Sequence, residues 1–353
     1  TPYPTLFPYT TLFRSLFSII IFFVIIFVIT FLSYWWGRYT SKEDSKHLDK
    51  FLQQFRALPS QDELKVLISG GEISKKSWLL LAGSYSKSGN YEKAIEIYHE
   101  ILRVPNSSNK KETMFLLGKV YFKAGFLERS KAVFLEILKS SPRTPQALHY
   151  LLLVYEYMRD YKSALEVLEP LEQLDKDVLN DEAYLKSLAL LNNATMGHEE
   201  KAEELLKIYR ETHKLTYLIF EYLFRTNPKL AWENFDGSKS ERVTDLLWNL
   251  NSKDLDLAII AKNSYLRELY SARGDVDLVK SSSVFEFDVL INLKNTKVNA
   301  TLNFEYVCDE CKHIFPFAFN RCTGCHSIDT ARVEWHLSKN YYKDFSEENN
   351  SFQ

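Results

Sequence analysis

Four cysteines lie close together near the C-terminus of this 353-residue chain, and the sequence contains no others. They form two pairs, Cys308 with Cys311 and Cys322 with Cys325. Two residues separate the members of each pair, so one tight turn can direct both sulfur atoms to one point. A disulfide framework would normally be spread through a small secreted domain. The spacing C-x2-C-x10-C-x2-C therefore predicts one metal site with four thiolate ligands.

We expect this site to hold one zinc ion, because four thiolates in a tetrahedron form a closed structural zinc site. Iron stays an alternative, since it accepts the same four-sulfur geometry. His313 and His326 lie beside the cysteines, but the thiolates already fill the shell, so we expect the histidines to be solvated or to support the ligands. A filled shell leaves no position for an activated water molecule, which argues against metal-assisted hydrolysis.

The residues around the cysteines must supply a small β structure that holds them. After Ser281-Ser282-Ser283, apolar residues alternate with mostly polar ones, a period of two that predicts a strand within a linker at residues 281–303. The alternating residues are Phe285, Phe287, Val289, Ile291 and Leu293. The metal-binding domain is then placed at residues 304–345 and a disordered tail at residues 346–353.

Only a short hairpin fits between the two cysteine pairs. Its aromatic residues, together with two flanking ones, would form most of the apolar core of a domain that is too small to fold without its metal. These residues are Tyr306, Phe315, Phe317, Phe319 and Trp335.

The rest of the chain is predicted to be mainly helical. Only 11 glycines and 10 prolines occur, which argues against a turn-rich all-β fold and against glycine-rich phosphate loops. The 44 basic and 46 acidic residues give a formal charge of −2. The four-cysteine region likewise has no basic excess, so nucleic acid is not an expected partner.

A repeat of about 34 residues fills the middle of the chain. Offsets of 36 and then 34 align columns of matched size and polarity. The columns are Trp78/Met114/Leu148, Leu81/Leu117/Leu151, Tyr85/Tyr121/Tyr155, Tyr91/Leu127/Tyr161, Ala94/Ser130/Ala164 and Tyr98/Phe134/Leu168. The apolar spacing is helical, and Gly89 and Gly125 mark tight turns between paired helices. Pro170 should kink or shorten the second helix of the third copy.

The repeat weakens after residue 180 but continues to residue 280. Ala202 indicates a fourth copy, and Leu266, Tyr270 and Gly274 match the spacing of the first unit. Residues 217–224 and 241–250 are apolar enough to be buried helices. Such hairpins must stack into a solenoid, whose concave side typically binds a peptide or protein segment.

Residues 16–36 contain no charge and, as a helix, are about 31 Å long, which matches a bilayer core. They predict a single transmembrane helix, and the positive residues that follow, such as Arg38 and Lys42, place the bulk of the chain in the cytoplasm. Residues 37–74 are expected to form a juxtamembrane helix or linker. Residues 1–15 lack an initiator Met and reverse-translate to a sequence resembling a common sequencing adapter, so we interpret them as non-native.

These parts resemble the lipopolysaccharide assembly protein B family: an N-terminal anchor, a tetratricopeptide pattern (W-x2-LG-x2-Y, then A-x3-F, then P) best seen in residues 75–175, and a terminal rubredoxin-type knuckle. Lys312 and Thr323 depart from the Gly and Pro usual in that family. The resemblance implies a single-pass inner-membrane adaptor whose knuckle packs against the solenoid. Its implied partners are the deacetylase that commits lipid A synthesis and a membrane AAA protease that degrades it.

The sequence contains no G-x-S-x-G, H-E-x-x-H, P-loop or G-x-G-x-x-G pattern, so we expect no enzymatic activity. Two alternatives to the lipid A adaptor remain. One is a general membrane-tethered scaffold for another envelope complex, and the other is an iron-loaded electron-transfer protein.

Overall fold

The computed structural model describes residues 21–31, 61–70, 74–104, 110–294, 296 and 298–339. Within these ranges the chain is mainly helical and carries one small sheet near its C-terminus. The helices are α1 (residues 21–31), α2 (Gln61–Gly70), α3 (Lys75–Lys87), α4 (Tyr91–Arg103), α5 (Lys110–Lys123), α6 (Leu127–Ser140), α7 (Pro145–Tyr157), α8 (Tyr161–Glu166), α9 (Leu168–Glu172), α10 (Leu179–Asn192), α11 (His198–Thr212), α12 (Thr216–Thr226), α13 (Pro228–Asn234), α14 (Thr244–Trp248), α15 (Leu257–Lys262), α16 (Ser264–Arg273) and α17 (Phe285–Leu293). Two 3-10 helices span Gly237–Val243 and Ser252–Asp254.

The chain divides into two compact units, Thr1–Val154 and Tyr155–Gln353. In the N-terminal unit, α3 pairs with α4 and α5 with α6 as antiparallel hairpins. The aligned apolar columns form their buried faces, as predicted, because the members recur at helical spacing. The buried column members in this unit are Trp78, Leu81, Ala94, Tyr98, Leu117, Tyr121, Ser130, Phe134, Leu148 and Leu151.

The predicted tight turns lie between the paired helices. Gly89 and Gly125 have φ of 82° and 78°, a left-handed conformation that glycine adopts without steric cost. In each turn the residue after the glycine donates its N–H to a tyrosine carbonyl five residues earlier, closing the end of the first helix. The third turn has Arg159 at φ 59° with the same hydrogen bonding. The backbone geometry therefore persists where the glycine does not.

The small residues in these hairpins permit close helix approach. The Ser130 hydroxyl donates to the Gly118 carbonyl at 2.9 Å. A Cβ added at Gly118 would lie 2.8 Å from two ring atoms of the fully buried Phe134. Glycine at this position is thus required by packing between α5 and α6 rather than by backbone conformation.

We expect Gly118→Ala to destabilise the protein and Gly83→Ala to stabilise it. Overpacking against Phe134 costs about 1–3 kcal/mol, more than the gain of up to about 1 kcal/mol in helix propensity. Gly83 also lies inside a helix, but a Cβ there meets nothing within 4 Å, so alanine should add about 0.5–1 kcal/mol. Urea unfolding, monitored by hydrogen exchange in α3–α6, measures the change in unfolding free energy for both variants. Equal shifts in the two variants would contradict the packing explanation.

The C-terminal unit continues the helix hairpins. As predicted, Pro170 interrupts the second helix of the third copy, since α8 ends at Glu166 and α9 begins at Leu168. Helices α10 and α11 form the next hairpin, with Ala202 buried between them. Residues 217–224 lie in α12, as predicted, whereas residues 241–250 form the end of a 3-10 helix and the short α14 rather than one continuous helix.

The strand predicted within residues 281–303 is wrong for its central part, because Phe285–Leu293 forms helix α17 and packs on α16. Phe287 and Leu290 are buried, while Phe285 is 71% exposed. The segment also carries apolar residues at helical spacing, since Val284, Phe287 and Ile291 are three and four positions apart. Helix α17 therefore packs against α16, which matches the first helix of a repeat unit, and buries the apolar face of α16.

The sheet has three antiparallel strands in the order β2-β1-β3. They are β1 (Ala300–Cys308), β2 (Ile314–Phe315) and β3 (Ala331–Lys339). Strand β1 pairs along its whole length with β3, from Ala300 opposite Lys339 to Cys308 opposite Ala331. The sheet thus begins at residue 300, earlier than the predicted domain boundary at residue 304.

The N-terminal predictions fall mostly outside the described residues. Residues 21–31 of the predicted span 16–36 form the exposed helix α1, and the described part of the chain contains no helix both long and apolar enough to cross a bilayer. Residues 61–70 of the predicted linker form α2, whose Leu64 is buried in the same core as α3 and α4. Residues 1–15 and 346–353 are not among the described residues.

Candidate metal centre

The four predicted ligands come together at one end of the sheet. Their sulfur atoms all lie within 4.8 Å of one another. The closest pairs, Cys308 with Cys325 and Cys311 with Cys322, each have an Sγ–Sγ distance of 3.6 Å. Zinc–sulfur bonds of about 2.3 Å in a tetrahedron place the sulfurs about 3.8 Å apart. The cluster therefore has the size of a four-thiolate metal site.

Two matching backbone turns position the sulfurs. In the first knuckle the Lys312 N–H donates to the Cys308 carbonyl at 2.9 Å, and in the second the His326 N–H donates to the Cys322 carbonyl at 2.9 Å. The N–H of each leading cysteine then donates to the carbonyl five residues later. The two turns are thus equivalent in hydrogen bonding, so the sulfurs approach one point from two sides.

Burial and hydrogen bonding act in opposite directions on the thiols, and the balance differs between them. Burial raises the pKa of Cys322 to about 12. Burial acts in the same direction at Cys308, but hydrogen bonds from the Thr330 hydroxyl and the N–H groups of Glu310 and Cys311 outweigh it and lower the pKa to about 6. A bound cation would favour deprotonation of all four thiols. The donor set fits zinc or iron, both of which accept four sulfur ligands.

The two histidines beside the cysteines lie outside this cluster of four sulfurs. The His313 ring packs against Phe315 at a centroid distance of 6.4 Å, while its carbonyl accepts from the Cys308 N–H at 3.0 Å. His326 occupies the left-handed position that ends the second knuckle, with φ of 64°. Both histidines therefore contribute to the turns through their backbone.

Lys312 ends the first knuckle with φ of 59°, and we expect Lys312→Gly to stabilise the metal-loaded protein. A side chain in the left-handed region costs about 1–2 kcal/mol, which exceeds the chain-entropy cost of glycine, about 0.5–1 kcal/mol. Lys312→Ala, which keeps the Cβ, is the matched control and should show no gain. Thermal unfolding compares the three proteins, and a glycine variant less stable than the alanine variant would contradict this reason.

Arg321, the residue before the third cysteine, fixes the metal centre to the helices of the same unit. Its side chain is 5% exposed and its Nε lies 2.8 Å from Glu156 Oε2, an ion pair without hydrogen-bond alignment. Its Nη2 donates to Oδ1 of Asp181 at 2.8 Å. The guanidinium also lies over the Tyr184 ring, 5.1 Å from its centroid, and donates to the His326 carbonyl. One side chain therefore connects the second knuckle to Glu156 and to α10 within the C-terminal unit.

A second buried contact connects β1 to the helices. The hydroxyls of Tyr306 and Tyr217 both donate to Oδ2 of Asp245, at 2.7 and 2.6 Å. Burial raises the pKa of Asp245, although these two hydrogen bonds oppose the effect. Asp329, in the loop before β3, accepts from the Leu215 N–H at 3.1 Å. The sheet and the helices are thus joined by several buried polar contacts.

The expectation of a separate aromatic core in the four-cysteine domain is wrong. The sheet residues Leu302, Tyr306 and Val333 belong to one hydrophobic core with α10–α12 and α16–α17. The Trp335 ring stacks on Phe287 at 5.8 Å. Phe317, which was expected in this core, is 79% exposed. The buried apolar side chains of the sheet face the helices rather than the hairpin between the two cysteine pairs.

Sequence reasoning did not identify the residues that make this attachment. Arg321 is separated from Asp181 by 140 positions and from Glu156 by more, so no local pattern joins them. One signal was available, since Glu156 follows the apolar run Leu151–Tyr155 within a predicted helix. A lone carboxylate on such a face usually needs a buried partner.

Comparison with known proteins identifies one part of the chain. Residues 75–106 match the family model of the tetratricopeptide repeat. No curated protein matches the sequence. Tetratricopeptide repeats stack into solenoids that bind other proteins. The chain is therefore a helical-repeat protein that contains a tetratricopeptide repeat and carries a cluster of four cysteines at metal-binding distance.

Proposed function

We propose that this chain is a non-enzymatic adaptor that binds protein partners through its helical repeats and uses one zinc ion to hold its C-terminal module in place. The observation that carries the proposal is the shared hydrophobic core, in which sheet residues pack with α10–α12 and α16–α17. A metal that folds the knuckles would therefore also keep the sheet packed on these helices, so that the C-terminal unit can present a folded surface to partners. Zinc supplies four strong bonds to thiolates and no redox chemistry.

The finer proposal places the adaptor at the bacterial inner membrane, anchored by residues 16–36, with the bulk of the chain in the cytoplasm. There it would present the deacetylase that commits lipid A synthesis to a membrane AAA protease. The support is the order of parts, with an apolar N-terminal segment, tetratricopeptide-like hairpins and a terminal four-cysteine knuckle.

Depletion of the protein from its native cell tests the finer proposal. We expect the lipid A deacetylase to accumulate, because its delivery to the protease would fail. A pulse-chase measurement of the half-life of the deacetylase gives the answer. An unchanged half-life would reject this role and leave the general envelope scaffold.

Metal analysis of the purified protein tests the electron-transfer alternative. We expect one zinc ion per chain and no visible absorption from iron–thiolate bonds. A pull-down from native membranes then compares the whole protein with Cys308→Ser. The variant should stay in the membrane and lose its partners, and retained partners would show that the knuckle is not needed for recruitment.

A further inference from the structure

Positive charge is concentrated on one set of helices in the N-terminal unit. The first helices of the two leading hairpins, α3 and α5, carry seven lysines and one glutamate. Their second helices, α4 and α6, carry five basic and five acidic residues. Since the whole chain has a formal charge of −2, this excess is local to the first helices.

Part of this charge lies beside aromatic side chains. The Lys119 ammonium lies 5.7 Å from the Phe115 ring centroid and 5.3 Å from that of Tyr150 on α7. Phe115, Lys119 and Phe122 are partly exposed on one side of α5, at spacings of four and three residues. Lys87 and Lys123 occupy the same position in consecutive repeats, and both are exposed. We call these five residues of α3 and α5 the basic face.

We propose that the basic face binds an extended acidic segment of a partner protein, whose carboxylates pair with the lysines and whose apolar side chains contact the rings. The inference rests on the proposed protein-binding function. Lys87, Lys119 and Lys123 form no ion pair with a carboxylate in the described part of the chain. Their charge is therefore available to an anionic ligand, and it would increase the association rate with acidic partners.

The arrangement of the rings favours a peptide over a nucleic acid or a membrane. Phe115 and Phe122 pack edge-to-face against Tyr150, at 5.5 and 5.9 Å with interplanar angles of 83° and 81°. Rings fixed in this way and only partly exposed offer neither free faces for stacking bases nor a protruding wedge for lipid. They can still line a shallow groove for small apolar side chains.

Fluorescence anisotropy with the full-length protein tests the proposal. The probe is a labelled peptide of three Asp-Phe-Glu-Leu repeats, and its neutral counterpart has Asn and Gln in place of Asp and Glu. We expect the acidic probe to bind about tenfold more tightly, with an affinity that falls as salt is raised. The triple variant Lys87→Glu, Lys119→Glu, Lys123→Glu should lose this binding.

The matched control carries Lys139→Glu, Lys176→Glu and Lys253→Glu, three exposed lysines outside the basic face, and should bind the acidic probe like the unmodified protein. Equal affinity for both probes, or an equal loss in the control, would overturn the proposal. Binding of anionic phosphatidylglycerol vesicles or single-stranded DNA without binding of the acidic probe would also overturn it. Failure of the unmodified protein to capture any membrane partner would instead reject the proposed adaptor function.

Discussion

Replacing one ligand, Cys308→Ser, is expected to release the metal and to destabilise the whole C-terminal unit. Cys308 is fully buried at the end of β1, and structural zinc contributes about 10–16 kcal/mol in comparable peptides. Without the ion, three neighbouring thiols and a buried hydroxyl would remain where the two knuckles meet. The knuckle turns should then open, and β2 should lose its place beside β1.

The loss should extend beyond the cysteines because the sheet covers helical residues. Tyr306 and Val333 lie in the core that includes α12 and α16, so loss of the sheet would expose apolar helix surface. We therefore expect the zinc content to fall from one ion per chain to a small fraction, the melting temperature to drop, and hydrogen exchange to accelerate in β1–β3, α12 and α16.

Two histidine variants serve as controls for Cys308→Ser. His313→Asn and His326→Asn should retain the metal, because the clustered ligand atoms are the four sulfurs. Asparagine also tolerates the left-handed backbone at position 326. Full zinc occupancy and an unchanged melting temperature in Cys308→Ser would contradict the four-thiolate site. Loss of zinc in a histidine variant would show that the ligand set is different.

The parts of this molecule that were predictable from sequence are those specified by short-range spacing. The C-x2-C pairs predicted the cysteine cluster because each pair needs only one turn. The repeat columns predicted the hairpins because helix faces recur every three to four residues. Even the break at Pro170 followed from one local rule, since proline removes a backbone donor.

The parts that were not predictable depend on contacts between distant segments. The ambiguity at Phe285–Leu293 arose because its apolar residues fit both a strand and a helix, and packing on α16 decides in favour of the helix. The attachment of the metal centre depends on single charged or hydroxyl groups such as Arg321 and Asp245, which carry no periodic signal. The start of the sheet at residue 300 and the core that it shares with the helices depend on these long-range contacts, so local spacing could not predict either.

Arg321→Met is expected to destabilise the C-terminal unit by about 3–5 kcal/mol, since removing one partner leaves buried charge without compensation. Glu156 is 9% exposed and Asp181 is 23% exposed at their side chains, so water cannot fully solvate either carboxylate. The variant should also loosen the second knuckle, because Arg321 donates to the His326 carbonyl. Thermal unfolding of the zinc-loaded protein measures the change.

The matched control is Arg332→Met, in strand β3 of the same unit. Arg332 also contacts two carboxylates, Asp309 at 3.2 Å and Glu334 at 2.9 Å, but its side chain is 52% exposed. Exposed pairs contribute about 0–1 kcal/mol, so this variant should be nearly as stable as the unmodified protein. Similar losses in both variants would show that burial is not the cause.

The pH dependence distinguishes unpaired charge from lost packing. Burial raises the pKa of Glu156, and Arg321 partly opposes this effect. A carboxyl whose pKa is higher in the folded state stabilises the fold below its unfolded pKa, and this contribution is lost as pH rises through the folded pKa. Without Arg321 the folded pKa should rise further, so the stability deficit of Arg321→Met should be larger at pH 8 than at pH 5.

Neutralising Glu156 and Asp181 should restore the stability of Arg321→Met. Adding Glu156→Gln and Asp181→Asn to Arg321→Met removes both unpaired charges while keeping side-chain volume close to that of the native residues. Replacement of a buried ionic cluster by neutral groups is often nearly neutral for stability, so the triple variant should recover most of the loss and show little pH dependence between pH 5 and pH 8. A triple variant as unstable as Arg321→Met would show that the guanidinium acts through its contacts with Tyr184 and the His326 carbonyl rather than through its pairing with the two carboxylates.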